Sequence, residues 1–343
     1  MPLPFLLGAA ALLAGAAGVK SAAEGVTKMK EANERVEEAK TQYQDAKFEL
    51  EDAQSAAVQA MDQLGERELE ILRSFEEFSQ LFAKIKNKPT FAPYERNNVK
   101  LPNVSQQKLQ DVSVGAEVLL SGLGGAGLGA AGGLAAAGAT TAAVAALGTA
   151  STGTAIASLS GAAATNATLA ALGGGALAAG GGGIALGSAL LGAGTLGVGL
   201  LVGGFVVSLT GDSMTKKADE IEEQLDDILW KIDSAESYLN DLESTAKKYH
   251  TQLKKVQTIY ATHLKQLSHL VRDQRKTNWQ QYTPDQKLLV ENTVLLVGLL
   301  YSMCKVQLVL KSQDEDEPNT INTTAIQKSI HDSKKVLADK FQN

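Results

Sequence analysis

Several things are scarce in this sequence, and each scarcity removes a class of protein. One cysteine, Cys304, in 343 residues excludes an internal disulfide framework and a cysteine-based zinc site, and it suits a reducing compartment. Of the histidines His250, His263, His269 and His331, only His263 falls on an apolar helical seam, and His269 lies too far along to share its face; no metal is expected. A net charge of −6 and a pI near 5.4 give no electrostatic ground for binding nucleic acid. No Gly-Lys-Ser/Thr is present, so there is no P-loop. No spacing proposes a Ser-His-Asp set or a carboxylate pair. The chain is read as a non-enzyme without a cofactor.

The largest absence is of charge itself. From Val118 to Gly211, 94 residues pass without one Asp, Glu, Lys, Arg or His, and this stretch holds 26 of the 33 glycines. Charged side chains cover most of the wet face of a soluble domain. A block without them is bedded in lipid or wrapped by other protein. At about 20 residues per crossing it is long enough for two to four membrane-spanning helices.

Around that block the chain divides into parts of unlike composition. Residues 1–19 are apolar. No Lys or Arg precedes the apolar run, and Pro2 and Pro4 stand where a secretory signal carries its basic region, which argues against a cleaved signal. The run is marginal for a span; a helix buried in the fold or lying in a membrane surface is expected. Residues 20–86 read as one long amphipathic helix. Its heptad has Ala22, Met29, Val36, Tyr43, Leu50, Ala57 and Leu64 at one seam position, and Gly25, Ala32, Ala39, Ala46, Ala53 and Ala60 at the other. That small second row lets a partner helix come unusually close. Near Gly65 the register changes, a stutter, and the seam continues through Ile71, Phe75, Phe78, Phe82 and Ile85 to the stop at Pro89. Residues 87–113, with Pro89, Pro93 and Pro102, read as a linker.

Residues 114–211 form the Gly/Ala-rich, membrane-active part. Its first subsegment carries Gly125, Gly129 and Gly133 at four-residue spacing. Its last is the most lipid-like, with small faces Ala185, Ala189, Ala193 and Gly197, and Gly199 with Gly203. Such faces let helices pack backbone to backbone in a membrane. Gly122–Gly127 and Gly192–Gly197 each fit G-x-G-x-x-G, but no acidic residue follows at the distance a ribose contact needs.

Residues 212–281 carry the second long helix. Its seam runs Leu225, Ile228, Ile232, Ala235, Leu239, Leu242, Ala246, Tyr249, Leu253, Val256, Tyr260, His263, Leu267 and Leu270, a strict 4-3 alternation. It is long enough to lie antiparallel beside the first helix, with the block joining them at one end. Residues 282–343 complete the bundle. Thr283-Pro284-Asp285 opens a helix whose uncharged core, Thr293 to Cys304, is too short to span. A last amphipathic helix follows from about Thr320 to Phe341. The expected fold is all-α, an elongated antiparallel helical bundle or coiled coil carrying a Gly/Ala-rich membrane head.

The opening Met-Pro-Leu-Pro-Phe-Leu-Leu-Gly-Ala-Ala-Ala and the glycine-rich run Gly148–Gly183 resemble a widespread bacterial set of proteins; the run is also loosely similar to the glycine-rich segment of small interferon-inducible mitochondrial membrane proteins. The resemblance covers about a fifth of the chain. It implies a bacterial origin and a membrane-related role, and supplies no activity. The layout of long helix, apolar insert, long helix resembles the cytolysin A type of α-helical pore-forming toxin, an analogy of architecture in which this insert is several times longer.

Two functions are therefore expected in competition. In one, the uncharged block enters a bilayer, self-associates through its small faces as a homo-oligomer, and forms a pore or disrupts the membrane, as a toxin or defence effector. The location is then a bacterial inner membrane reached from the cytoplasmic side, after a possible soluble form. In the other, the block only anchors a coiled-coil scaffold or tether whose seams bind a protein partner. The seam residues singled out are Val36, Tyr43, Leu50, Leu64, Leu225, Ile232, Leu239 and Leu253. Lys100 and Lys108 before the block and Lys216 and Lys217 after it give an even number of spans if both flanks stay on the cytoplasmic side.

Overall fold

The computed structural model describes residues 19–96, 98–102, 104–124, 214–310 and 320–341. Helix makes up 81% of this part, so the fold is all-α. Five helices carry it: α1 (Val19–Lys84), α2 (Gln106–Gly124), α3 (Met214–Ser268), α4 (Pro284–Met303) and α5 (Thr323–Phe341). The only strands among the described residues are two two-residue hairpins, Glu95–Arg96 with Val99–Lys100 and Val309–Leu310 with Thr320–Ile321.

The two long helices exist where the heptads place them, but they do not run antiparallel. Ala39 packs on Leu225, and Leu50 packs on Ile228, Ile232 and Ala235. Further up, Phe75 meets Tyr260 edge-on at 6.1 Å, the Arg272 guanidinium donates to Glu77 at 2.9 Å, and Lys86 pairs in parallel with Asn278. Rising numbers on α1 meet rising numbers on α3, so the pair is parallel. The helix antiparallel to α1 comes instead from residues 106–113, read as linker. Gln106 begins a helix that turns back down α1, its amide donating to the Ser79 carbonyl and the Ser113 hydroxyl to the Arg73 carbonyl. Thus α2 runs down α1, and α3 rises beside it.

The remaining helices repeat the alternation. Thr283 caps α4 with a reciprocal capping box to Gln286, and Pro284 sits in its first turn, where a missing N–H costs nothing. From there α4 descends until the Met303 carbonyl accepts from Tyr249 at 2.8 Å. Then α5 ascends with α3, from Ser329 beside Tyr249 to Phe341 against His263.

The width of the apolar face follows the number of neighbours. Below about Ala57, among the described residues, only α1 and α3 meet, and their two small clusters contain residues of those helices alone. A narrow seam suffices for such a two-stranded stalk, which extends about 45 Å along α1, from about residue 28 to Ala57, at 1.5 Å per residue. From Ala60 upward one large core spans all five helices. There Leu69, Leu72 and Leu81 are buried on α1 beside the seam, and the stripe widens as a bundle requires.

The parallel register can be read by cross-linking. With Cys304→Ser, a short bismaleimide should join Ala39→Cys to Leu225→Cys and leave Ala39→Cys with Thr262→Cys open. The reverse pattern, read by gel mobility, would restore the antiparallel arrangement.

Candidate functional site

The small-residue faces, Gly125, Gly129, Gly133, Ala185, Ala189, Ala193, Gly197, Gly199 and Gly203, lie outside the described residues, as does the apolar segment 1–18. The seam residues lie inside them. Leu50, Leu64, Leu225, Ile232 and Leu253 are buried, and Val36, Tyr43 and Leu239 are partly buried against the same clusters. Within the chain the two seams cover each other.

A buried polar joint stands where the two-helix stalk becomes the five-helix bundle. The stutter puts two four-residue steps in succession, Ala60 to Leu64 to position 68, before the 4-3 rhythm resumes at Ile71. Position 68 is a core position, and Glu68 occupies it. Its side chain has 0% exposure, and neither carboxyl oxygen has a hydrogen-bond partner among the described residues. Burial alone holds the Glu68 carboxyl well above the usual carboxylate range. A bare charge there would cost several kcal/mol, so the folded bundle holds this group as the neutral acid.

Glu68 is within electrostatic reach of Tyr249 and Cys304, and burial pushes both the phenol and the thiol up as well. Tyr249 is the hub of the joint. Its hydroxyl donates to the Met303 carbonyl of α4 and lies 2.9 Å from the Ser329 hydroxyl of α5. One layer up, the Gln252 amide donates to the Ser333 hydroxyl at 3.0 Å, which donates in turn to the Ile330 carbonyl at 2.8 Å. The joint carries no nucleophile in a reactive state, because a thiol pushed up by burial is a poor one. It can take up or release one proton. Losing the Glu68 proton would place an uncompensated charge between α1, α3 and α4.

Reading the seam by its apolar members passes over Glu68. The signal was in the spacing: three residues before Ile71 and four after Leu64, the rhythm calls for an apolar side chain and meets a carboxyl. No group of three or more His, Cys, Asp or Glu side chains that could hold a metal occurs among the described residues. Among them, too, no helix is long and apolar enough to cross a membrane. No protein-family model, no curated protein and no solved structure matches the chain.

Glu68 makes the bundle's stability depend on pH in an unusual sense. In the unfolded chain its carboxyl ionises near pH 4.3; in the fold it keeps its proton higher. The unfolded state thus binds fewer protons above that pH, and stability falls as pH rises toward the folded value, by up to about 1.4 kcal/mol per pH unit. Glu68→Leu should remove this slope and add about 1–3 kcal/mol near neutral pH. Urea midpoints at pH 5 and pH 8 measure both; an unchanged slope in the variant would refute the assignment.

Proposed function

We propose that this is a membrane-inserting protein whose uncharged stretch, Val118–Gly211, enters a bilayer and self-associates through small-residue faces, forming a pore or disrupting the membrane. One observation carries the reading: the 94-residue absence of charge, in a chain whose other parts are richly charged. A bilayer is the environment that asks for no charged surface over such a length. The faces of Gly125, Gly129 and Gly133, of Ala185, Ala189, Ala193 and Gly197, and of Gly199 with Gly203 supply the close helix approach that association in lipid needs.

Two exposed aromatics lend support. Phe48 on α1 is 64% exposed and Trp230 on α3 is 67% exposed, both at outward positions of the stalk and at similar height. Aromatic rings of this kind favour the headgroup region of a membrane. The role proposed is that of a toxin or defence effector acting at a bacterial inner membrane from the cytoplasmic side. Lipid and further copies of the chain are its partners.

The second reading, a membrane-anchored scaffold or tether, draws on the stalk. A helix of 66 residues reaches about 100 Å, far more than an anchor alone needs. The seams are covered within the chain, so a protein partner would meet the outer faces.

Dye release from liposomes separates the two. The intact chain should release dye, and a version with 118–211 replaced by a Gly/Ser linker should not. Flotation with vesicles but no release would favour the tether; neither release nor flotation would count against both.

The small faces are tested apart from insertion. Gly129→Leu with Gly199→Leu should abolish release while the circular dichroism of the bundle stays unchanged. Full activity in this double variant would sink the small-face mechanism.

A further inference from the structure

At the end of the bundle away from the stalk, the segment after α1 folds over a cleft of about 370 Å³ between α1, the start of α2 and α4. The floor and walls are apolar, with Phe78, Phe82 and Phe91 on one side and Val294 and Val297 on the other. Gly298 lets α4 close the far wall: a Cβ there would stand 3.1 Å from the Pro102 carbonyl oxygen. The volume is at the small end of the range for small-molecule sites.

One charge stands in this cleft. Lys88 is half-buried; its ammonium lies 4.7 Å from the Phe82 ring centre and donates one hydrogen bond, at 2.9 Å, to the Ile85 carbonyl. No carboxylate pairs with it among the described residues. Two of its three N–H donors are left for something else. A cation held over an aromatic face beside an apolar cleft, without an acidic partner, is matched by one anionic group on an apolar body.

We propose that this cleft binds a small monocarboxylic acid with an aryl or acyl tail, the tail lying among Phe78, Phe82 and Phe91 and the carboxylate paired with Lys88. A single ammonium suits a single negative charge. The tail replaces the water that the aromatic walls hold poorly. This inference is independent of the membrane reading.

The probe is 4-phenylbutyrate, with 4-phenylbutanol as its neutral counterpart. Trp279 reports on the site, since its ring meets Phe91 edge-on at 5.5 Å. The full chain is held in amphipol and carries Trp230→Phe, leaving Trp279 as the one tryptophan. Phenylbutyrate should change its fluorescence saturably. Lys88→Met should weaken that binding by roughly tenfold or more, the scale of a lost charge-assisted contact, and Lys88→Arg should preserve it within a few-fold. The alcohol should bind Lys88→Met and the parent equally. Burial lowers the Lys88 pKa, so affinity for the acid should fall as pH rises through that lowered value, while affinity for the alcohol stays level. This pH arm decides the matter should Lys88→Met alter the circular dichroism. No saturable change, or equal affinity in Lys88→Met and the parent with no pH effect, would overturn the proposal.

Discussion

The parallel contact between α1 and α3 is the constraint from which the rest of the architecture follows. Two helices that rise together cannot be joined by a short turn, and each has a descending helix beside it. Helix α2 descends along α1, α4 descends along α3, and α5 fills the remaining place by rising again. The seam also governs the distance between the pair. Ala39, Ala46, Ala53 and Ala60 form a shallow row on α1, and α3 answers with Leu225, Ile228 and Ile232. Bulk on one helix against smallness on the other is how two apolar stripes fill the space between them without voids.

The passage from two helices to five is managed at the joint. Below it, burial is a narrow stripe and the exposed flanks carry i,i+4 and i,i+3 ion pairs such as Lys47–Glu51 and Lys40–Glu37, worth little individually. Above it, burial is broad and nearly all apolar. The stutter at Leu64–Glu68 turns the seam by the amount needed for α1 to face new neighbours. Tyr249, Ser329, Gln252 and Ser333 then hold one register of α3 against α4 and α5, because a slip by one turn would leave the buried Tyr249 and Ser333 hydroxyls and the Gln252 amide unpaired. Against those satisfied groups stands Glu68, an acid whose proton is retained with the help of burial and whose carboxyl has no hydrogen-bond partner among the described residues.

The seams were legible because a heptad is a local code: which residues of α1 and α3 are buried follows from spacing alone, and Leu50, Leu64, Leu225, Ile232 and Leu253 lie where spacing puts them. The start of α4 was legible for the same kind of reason, since Thr283, Pro284 and Gln286 satisfy their own turn. The relative direction of the long helices was not. A seam reads the same whether its partner runs up or down, and the helix that does turn back along α1, from Gln106, lay in a short stretch obscured by three prolines and the polar residues before it. Glu68 was missed because a seam is traced by its apolar members. The Lys88 cleft was beyond reach because Phe82, Phe91, Pro102 and Gly298 come together only through tertiary contact.

The parallel pair also places a condition on any membrane-bound form. Extending the α1–α2 pairing beyond Ser113 brings Gly124 to the height of Ala60–Leu64 on α1. Extending the α1–α3 pairing below Leu225 brings Met214 near the height of residue 28. The chain thus leaves α2 and re-enters α3 at points about 50 Å apart along the stalk axis, more than the thickness of a bilayer with its headgroups. An even number of spans returns both flanks to one surface. A stalk lying along the membrane then brings both flanks, with Lys100, Lys108, Lys216 and Lys217, to that surface. An odd number would let the stalk stand across the bilayer, but it would carry Lys216, Lys217 and the charged flanks of α3 to the far side, against the cytoplasmic preference of lysine. The charge pattern and the parallel packing together favour a stalk that lies down, the orientation in which Phe48 and Trp230 come within reach of the headgroup layer.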